Sequence, residues 1–181
     1  IWGLEMVTFL FAWLVLFGAS YAVKVTAHLG VDVVVNLFGP RGRKIFALLG
    51  ASVCIGYAFL VFKGSWDYWA NFANLPQTTG RWFPTGFEEM RGTSYRGWYE
   101  VIDIPLPEWM RFIEPYMNDG DAYEKIPRFI PYAIMPIGMG LFLFRMVQAT
   151  LRIYNGDSKS LIVSHEAEEA IEEIKHMNTG N

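Results

Sequence analysis

The most prominent pattern along the chain is three apolar runs that contain no charged residue. They occupy residues 6–23, 45–62 and 129–144, and charged residues bracket each of them. A helix needs about 20 mostly apolar residues to cross the hydrocarbon core of a bilayer, with about 17 as the lower end. The first two runs have that length, and the third reaches it if Arg145 directs its guanidinium toward the headgroups. The pattern therefore predicts three membrane-spanning helices, at about residues 6–24, 45–62 and 129–150.

The connection between the first two runs, residues 25–40, has a helical pattern of a different kind. At 100° per residue, the side chains of His28, Asp32 and Asn36 fall on one narrow face, and apolar side chains cover most of the rest. This pattern predicts an amphipathic helix that lies at the membrane interface or packs on a partner. A buried strand through residues 31–35 is the alternative, because a run of valines favours strands.

The remaining chain divides into a long loop, residues 63–128, and a tail, residues 153–181. In the tail, Ser164 is positioned to cap an amphipathic helix at about residues 165–177, and the outer face of that helix is acidic. Together the patterns predict an all-α polytopic membrane protein. Its membrane domain, residues 1–152, contains the interfacial helix and the long loop, and the tail follows it.

Composition agrees with residence in lipid and excludes several functions. Of the 181 residues, 52% are hydrophobic and 18% are charged, against about a quarter charged in ordinary soluble domains, and the mean hydropathy is +0.21. A disordered chain would be polar and poor in aromatic residues. The net charge of −3 lacks the electrostatic footprint of a nucleic-acid-binding protein. The single cysteine excludes an intrachain disulfide and a multi-cysteine zinc site.

Charge also sets the expected orientation of the spans. Residues 24–44 carry four basic residues and one acidic residue, whereas residues 63–128 carry seven basic and ten acidic residues. Because short basic loops stay on the cytoplasmic side, we expect the first connection and the C-terminal tail in the cytoplasm and the long loop outside it. The chain begins with Ile1 and enters an apolar run almost at once, so we expect a further helix ahead of it.

No arrangement of side chains in the sequence predicts catalysis. His28 and Asp32 are four residues apart, but two ligands do not complete a metal site, and a local hydrogen bond is the simpler interpretation. The apolar runs contain no histidine, so they offer no pair of axial haem ligands. We expect no cofactor, no metal and no enzymatic activity. The runs also lack the ionisable residues that ion and proton pathways usually require, so this chain alone is not expected to carry a polar solute.

Small residues lie on helical faces of the predicted spans. Gly18 and Ala22 are four residues apart in the first span, and Gly50 and Gly56 belong to overlapping small-residue pairs in the second. Such spacing lets helix backbones approach closely in lipid, where packing supplies the energy of association. We therefore predict that these four residues form a packing surface, against other helices of this chain or against another subunit. Pro136 is expected to kink the third span.

A series of short motifs runs through these elements. Trp2 and Glu5 form W-x-x-E, residues 13–19 read WLVLFGA, and residues 28–32 read HLGVD after a basic residue. Residues 132–138 fit Y-x-x-x-P-I-G. These motifs resemble those of the small membrane subunit of tripartite ATP-independent periplasmic (TRAP) transporters, the DctQ type, with conservative replacements at Leu16 and Leu29. The motif residues are Trp2, Glu5, Trp13, His28, Gly30, Asp32, Tyr132, Pro136 and Gly138.

The resemblance implies a four-helix, multi-pass subunit of a bacterial inner-membrane complex, with a cytoplasmic C-terminus and membrane lipids around it. It implies a large multi-span partner subunit that carries substrate and sodium. It also implies a periplasmic binding protein that delivers organic acids such as C4-dicarboxylates. In that arrangement the small subunit is a scaffold, which agrees with apolar runs that contain no charge. The alternative is a membrane anchor or assembly subunit of a respiratory enzyme complex, which a haem absorbance band would favour.

One departure from the family is the length of the loop over residues 63–128, because the last two helices of the family usually have a short link. This insertion is periplasmic in the expected topology. We expect it to contact the binding protein or to cap the outer face of the large subunit, although an ordered loop that packs on itself is the alternative. The residues expected to make the contact are Trp98, Tyr99, Trp109 and Phe112.

Overall fold

The computed structural model describes residues 2–25, 39–75 and 96–156 of the chain. Almost all of the predicted interfacial helix, with His28, Gly30 and Asp32, lies outside the described residues, as does the predicted tail helix. The described residues form two compact units. The first unit comprises residues 2–20, 56–75 and 96–143, and the second comprises residues 21–25, 39–55 and 144–156.

Helices dominate the described residues. In chain order the elements are helix α1 (Trp2–Lys24), helix α2 (Pro40–Ala70), strand β1 (Glu100–Pro105), a 3-10 helix (Glu108–Ile113), helix α3 (Glu114–Met117), strand β2 (Lys125–Pro127), helix α4 (Phe129–Tyr132) and helix α5 (Ile134–Asn155). Three stretches are long and apolar enough to cross a membrane: Trp2–Lys24, Arg41–Ala70 and Phe129–Asn155. The predicted fold class, a helical polytopic membrane protein with three visible spans, is confirmed. The small sheet is an addition that the sequence analysis did not predict.

Helix α2 is longer at both ends than the span predicted at residues 45–62. Beyond the apolar run it continues past Lys63 to Ala70. The Nζ atom of Lys63 lies 2.9 Å from Oδ2 of Asp67, one helical turn further on, and an ion pair at this spacing supports a helix. The charge at Lys63 therefore ends the apolar run without ending the helix.

The third span is interrupted at Ala133, between α4 and α5. Pro136 lacks a backbone N–H, and its ring crowds the carbonyl group four residues earlier, which belongs to Tyr132. The regular hydrogen bonding of the helix resumes with the N–H of Ile137, which donates to the Ala133 carbonyl oxygen at 3.2 Å. The interruption thus lies within one turn before the proline from which a kink was predicted.

Residues 96–128 form a small structure between α2 and α4, which we call the hairpin module. Strands β1 and β2 pair in antiparallel fashion, with Glu100 opposite Pro127 and Pro105 opposite Lys125. Between these two pairs β1 advances by more residues than β2, so β1 bulges. The bulge also explains why Val101 and Ile104 are both buried, since residues three apart face opposite sides of a regular strand.

The hairpin module is fixed to the end of α2 by a hydrogen-bonded cluster around Tyr123, which is only 2% exposed. The Tyr123 hydroxyl donates to the carbonyl oxygen of Gly97 at 2.7 Å, and its oxygen lies 3.2 Å from the carbonyl oxygen of Met117. Just beyond α2, the side chain of Asn74 donates to the Met117 carbonyl at 3.1 Å and accepts from the Gly97 N–H at 2.9 Å. A side chain at Gly97 would collide with that of Asn74, so this close approach requires glycine.

The second unit has a small apolar core and a contact between two helix ends. The buried apolar side chains of this unit are Val23, Ala51, Met146 and Ile153. In the first turns of α2, Lys44 Nζ donates to the carbonyl oxygen of Tyr154 at 2.7 Å and lies 5.6 Å from the centre of its ring. Carbonyl groups in the last turn of a helix lack intrahelical donors and carry partial negative charge. Lys44 therefore caps α5 and joins its end to the start of α2.

Candidate functional site

The carboxylate of Glu5, near the start of α1, accepts three backbone hydrogen bonds from β1. Its Oε1 accepts from the N–H of Ile102 at 2.9 Å, and its Oε2 accepts from the N–H groups of Asp103 at 2.8 Å and Ile104 at 3.2 Å. In a regular strand successive N–H groups point to opposite sides, so three successive donors can reach one carboxylate only where the backbone is irregular. The bulge in β1 supplies that irregularity.

This contact gives one motif residue a structural role. Among the described residues β1 pairs only with β2, and Glu5 satisfies strand N–H groups that would otherwise be available to another strand. The contact also ties the hairpin module to α1. Trp2, the other residue of the W-x-x-E motif, is exposed.

Two tryptophans from different helices donate to the interrupted start of the third span. The indole Nε1 of Trp13 in α1 lies 2.9 Å from the Pro131 carbonyl oxygen, and that of Trp69 in α2 lies 2.8 Å from the Phe129 carbonyl oxygen. Where a helix is broken in lipid, its backbone carbonyls need donors from neighbouring helices. Trp13 supplies such a donor to Pro131, whereas the Phe129 carbonyl accepts from the Ala133 N–H as well as from Trp69. Together the two indoles fix α4 against both of the other spans.

Tyr132, another motif residue, lies in an aromatic cluster at the same level. Its ring centroid is 6.2 Å from that of Phe9, 5.8 Å from that of Tyr68 and 5.2 Å from that of Phe72. These residues come from α1, α2 and the turn after α2. Edge-on and tilted aromatic contacts at such distances are favourable beyond the area they bury.

The small residues of the spans divide into two groups. Gly138 and Gly140 in α5 are in close contact within the chain: a Cβ at Gly138 would lie 2.8 Å from Leu16 Cβ, and one at Gly140 would lie 3.2 Å from the Phe62 ring. The predicted packing residues behave differently. Gly18, Gly50 and Gly56 are exposed, with no atom from the described part of the chain within 4 Å of an added Cβ, and Ala22 is half-buried.

The aromatic residues predicted to contact a partner are also divided. Trp109 and Phe112 in the 3-10 helix are 74% and 67% exposed, and Trp98 is exposed as well. Tyr99 is half-buried, because its ring lies 4.0 Å from that of Trp98 and 5.7 Å from the guanidinium of Arg128. The structure adds Tyr116, which is 84% exposed in α3 and which the sequence analysis did not single out.

A shallow depression on the hairpin module lies beside Tyr99. It has a volume of about 510 Å³ and is lined by Trp98, Tyr99, Glu100 and Arg128. The Nε of Arg128 donates to the Glu100 carbonyl oxygen at 2.9 Å, so this guanidinium is held by the module itself. Within the described ranges, no group of three histidine, cysteine or acidic side chains is arranged to hold a metal ion.

Comparison with known proteins identifies the family of the chain. A family model of the DctQ component of tripartite ATP-independent periplasmic transporters matches residues 1–86. The C4-dicarboxylate TRAP transporter small permease protein DctQ of Vibrio cholerae is 41% identical over 97% of this chain and 67% of its own length. Proteins of the same name from Pseudomonas aeruginosa and Rhodobacter capsulatus are 23% and 26% identical, over 97% and 82% of this chain and 65% and 47% of their own lengths.

The chain thus spans about two thirds of the length of the first two relatives and about half of the third. No solved structure gives a significant match. These matches confirm the predicted family, and the three membrane-capable helices agree with it. This membrane protein belongs to the DctQ family, the small permease component of tripartite ATP-independent periplasmic transporters.

Proposed function

We propose that the chain braces a large multi-span subunit in the bacterial inner membrane, within a transporter that takes up C4-dicarboxylates. The names of the three relatives support the substrate class. In this proposal the large subunit carries the substrate together with sodium, a periplasmic binding protein delivers it, and the C-terminus of this chain is cytoplasmic. The chain itself supplies packing surfaces and catalyses no reaction.

The observation that carries the proposal is the set of uncovered glycines on the spans. Among the described residues, no atom lies within 4 Å of a Cβ added at Gly18, Gly50 or Gly56, whereas side chains of α1 and α2 lie close to Gly138 and Gly140 in α5. Without a hydrophobic driving force in lipid, close backbone approach at small residues supplies much of the association energy. The uncovered glycines therefore suit helices of the large subunit.

Larger side chains at these glycine positions should weaken the association of this chain with the large subunit. We expect Gly50→Leu and Gly56→Leu each to reduce co-purification of the large subunit about ten-fold, because a leucine side chain holds the partner helix away. Gly64→Leu is the matched control, since Gly64 lies on the same helix, beyond the apolar run, and is equally open. Equal recovery of the large subunit with the α2 variants and the control would contradict the proposal.

The hairpin module supports a second part of the proposal, a docking surface for the binding protein. Residues 96–128 carry four basic and seven acidic residues, and Trp109, Phe112 and Tyr116 are exposed among them. Segments that rest on membranes carry lysine and arginine on their polar face, so an acidic module suits a protein surface better than anionic lipid. Exposed aromatic residues within a polar rim are typical of binding surfaces.

Removal of these aromatic side chains should reduce uptake without disturbing assembly. We expect Trp109→Ala combined with Phe112→Ala to raise about ten-fold the binding-protein concentration needed for half-maximal uptake. Ile102→Ala is the control, because Ile102 is as exposed as Trp109 but lies on β1. Co-purification of the large subunit is measured in parallel. If that recovery falls with uptake, the module caps the large subunit instead.

A further inference from the structure

We propose that the basic end of the second unit binds the phosphate of an anionic phospholipid. We define the basic end as the side chains of Lys24, Arg41, Arg43, Lys44 and Arg152. Lys24 ends α1, the next three lie in the first turns of α2, and Arg152 lies in the last turn of α5. The inference needs only the described helix ends, and it does not depend on the proposed partners.

The first support is that these groups belong to the same end of one compact unit. The second unit contains the end of α1, the start of α2 and the end of α5. The contact of Lys44 with the carbonyl oxygen and ring of Tyr154 brings the start of α2 against the last turn of α5. Arg152 lies in the same last turn of α5, two residues before Tyr154.

The second support is charge. The described residues of the second unit, 21–25, 39–55 and 144–156, include six basic residues and no acidic one. The sixth is Arg145, which donates to Gln148 Oε1 at 2.7 Å. Because it lies two turns before Arg152, away from the helix end, we do not include it in the basic end. Basic clusters between membrane helices bind phosphate headgroups, with a contribution of about 1 kcal/mol from each cation near the surface.

The third support is the expected level of the basic end in the membrane, together with the apolar surface of α2 and α5 that adjoins it. Arg41 begins one stretch that can cross a membrane and Asn155 ends another, so the cluster is expected at the level of the headgroups. Adjoining it, exposed apolar side chains offer a surface for acyl chains: Ile45, Phe46 and Leu49 on α2, and Leu151 and Tyr154 on α5. A ligand with a phosphate and acyl chains fits this combination, and inorganic phosphate does not use the apolar part.

The test uses the full chain in phosphatidylcholine vesicles with and without phosphatidylglycerol. We expect phosphatidylglycerol to raise the thermal midpoint and to be retained through purification, as measured by mass spectrometry. Arg41→Gln, Arg43→Gln and Arg152→Gln combined should reduce the affinity for phosphatidylglycerol about 100-fold, and Arg41→Gln alone about five-fold. Arg96→Gln combined with Arg111→Gln, in the hairpin module, is the control and should leave the affinity unchanged.

Several results would overturn the inference. One is an equal thermal midpoint of the wild-type chain in both kinds of vesicle. Another is a loss of affinity for phosphatidylglycerol in the control pair that is as large as the loss in the triple variant. Inorganic phosphate that displaced the lipid or reproduced the shift in detergent would indicate a free anion site. A chain that bound phosphatidylglycerol only after removal of residues 157–181, which carry six acidic residues, would indicate that its own tail occupies the basic end.

Discussion

Glu5→Ala is expected to release the hairpin module from α1 and to lower the free energy of unfolding by about 2 kcal/mol. The substitution removes an acceptor shared by three backbone N–H groups of β1. Hydrogen bonds to a charged acceptor are stronger than neutral ones, but Ile102 is 75% exposed, so its N–H can bond water once the carboxylate is removed. This exposure is why the expected cost is well below three times that of a single charged hydrogen bond.

Hydrogen exchange of the chain in detergent measures this effect directly. We expect the amides of Ile102, Asp103 and Ile104 to exchange at least ten-fold faster in Glu5→Ala, and by an intermediate factor in Glu5→Gln, which keeps one acceptor oxygen. Glu108→Ala removes an exposed carboxylate from the same module and is the control. Unchanged protection of the three amides in Glu5→Ala would contradict the role of the carboxylate.

Trp13→Phe is expected to destabilise the packing of all three spans by about 2 kcal/mol. Phenylalanine keeps most of the ring but removes the indole N–H, so the Pro131 carbonyl loses its donor at a place where the helix is already interrupted. Trp69→Phe should have a similar effect through the Phe129 carbonyl, which also accepts from the Ala133 N–H. Because of this second donor, we expect the smaller loss for Trp69→Phe.

Unfolding in detergent, followed by circular dichroism, compares these variants. Trp2→Phe is the matched control, since Trp2 lies on the same helix as Trp13 and is exposed. We expect its unfolding midpoint to stay near that of the wild-type chain. If the unfolding midpoint of Trp13→Phe equalled that of Trp2→Phe, the hydrogen bond from the Trp13 indole would contribute nothing to stability.

The spans were predictable because the length of an apolar run can be read directly from the sequence. The exact ends were not: α2 runs on to Ala70, and an ion pair between Lys63 and Asp67 supports the helix beyond the apolar run. The hairpin module was also missed. Its strands are short and β1 is bulged, so the alternation of polar and apolar residues that signals a strand is absent.

The contacts of the motif residues could not be predicted for a different reason. Glu5 and Trp13 were recognised by their motifs, but their acceptors and donors lie about 100 residues away in the sequence, and no local pattern reports such a pairing. Asn74 did carry a weak signal. It follows the end of α2 in the left-handed region, at φ 53°, which asparagine tolerates better than most residues, but the sequence does not reveal its contact with Gly97.

The small residues of the spans are a second case in which a local sequence pattern does not reveal the contact partner. Spacing alone singled out Gly18, Gly50 and Gly56, and no atom of residues 2–25, 39–75 and 96–156 covers any of the three. Gly138 was noted only as a motif residue beside a proline, yet Leu16 packs directly against it. Spacing indicates that two backbones can approach closely, but it does not distinguish a neighbour in the same chain from a separate subunit.

The hydrogen bonds between the Glu5 carboxylate and β1 have a consequence for biosynthesis. The acceptor enters the ribosomal exit tunnel 97 residues before the first of its donors, so α1 reaches the bilayer while the carboxylate has only water or other temporary partners. The loop can close only after α2 has followed, and loops of this size close late because their entropy must be offset by contacts already made. Closure of this bond is therefore a late event in maturation, and hydrogen exchange at Ile102 would distinguish a finished subunit from a merely inserted one.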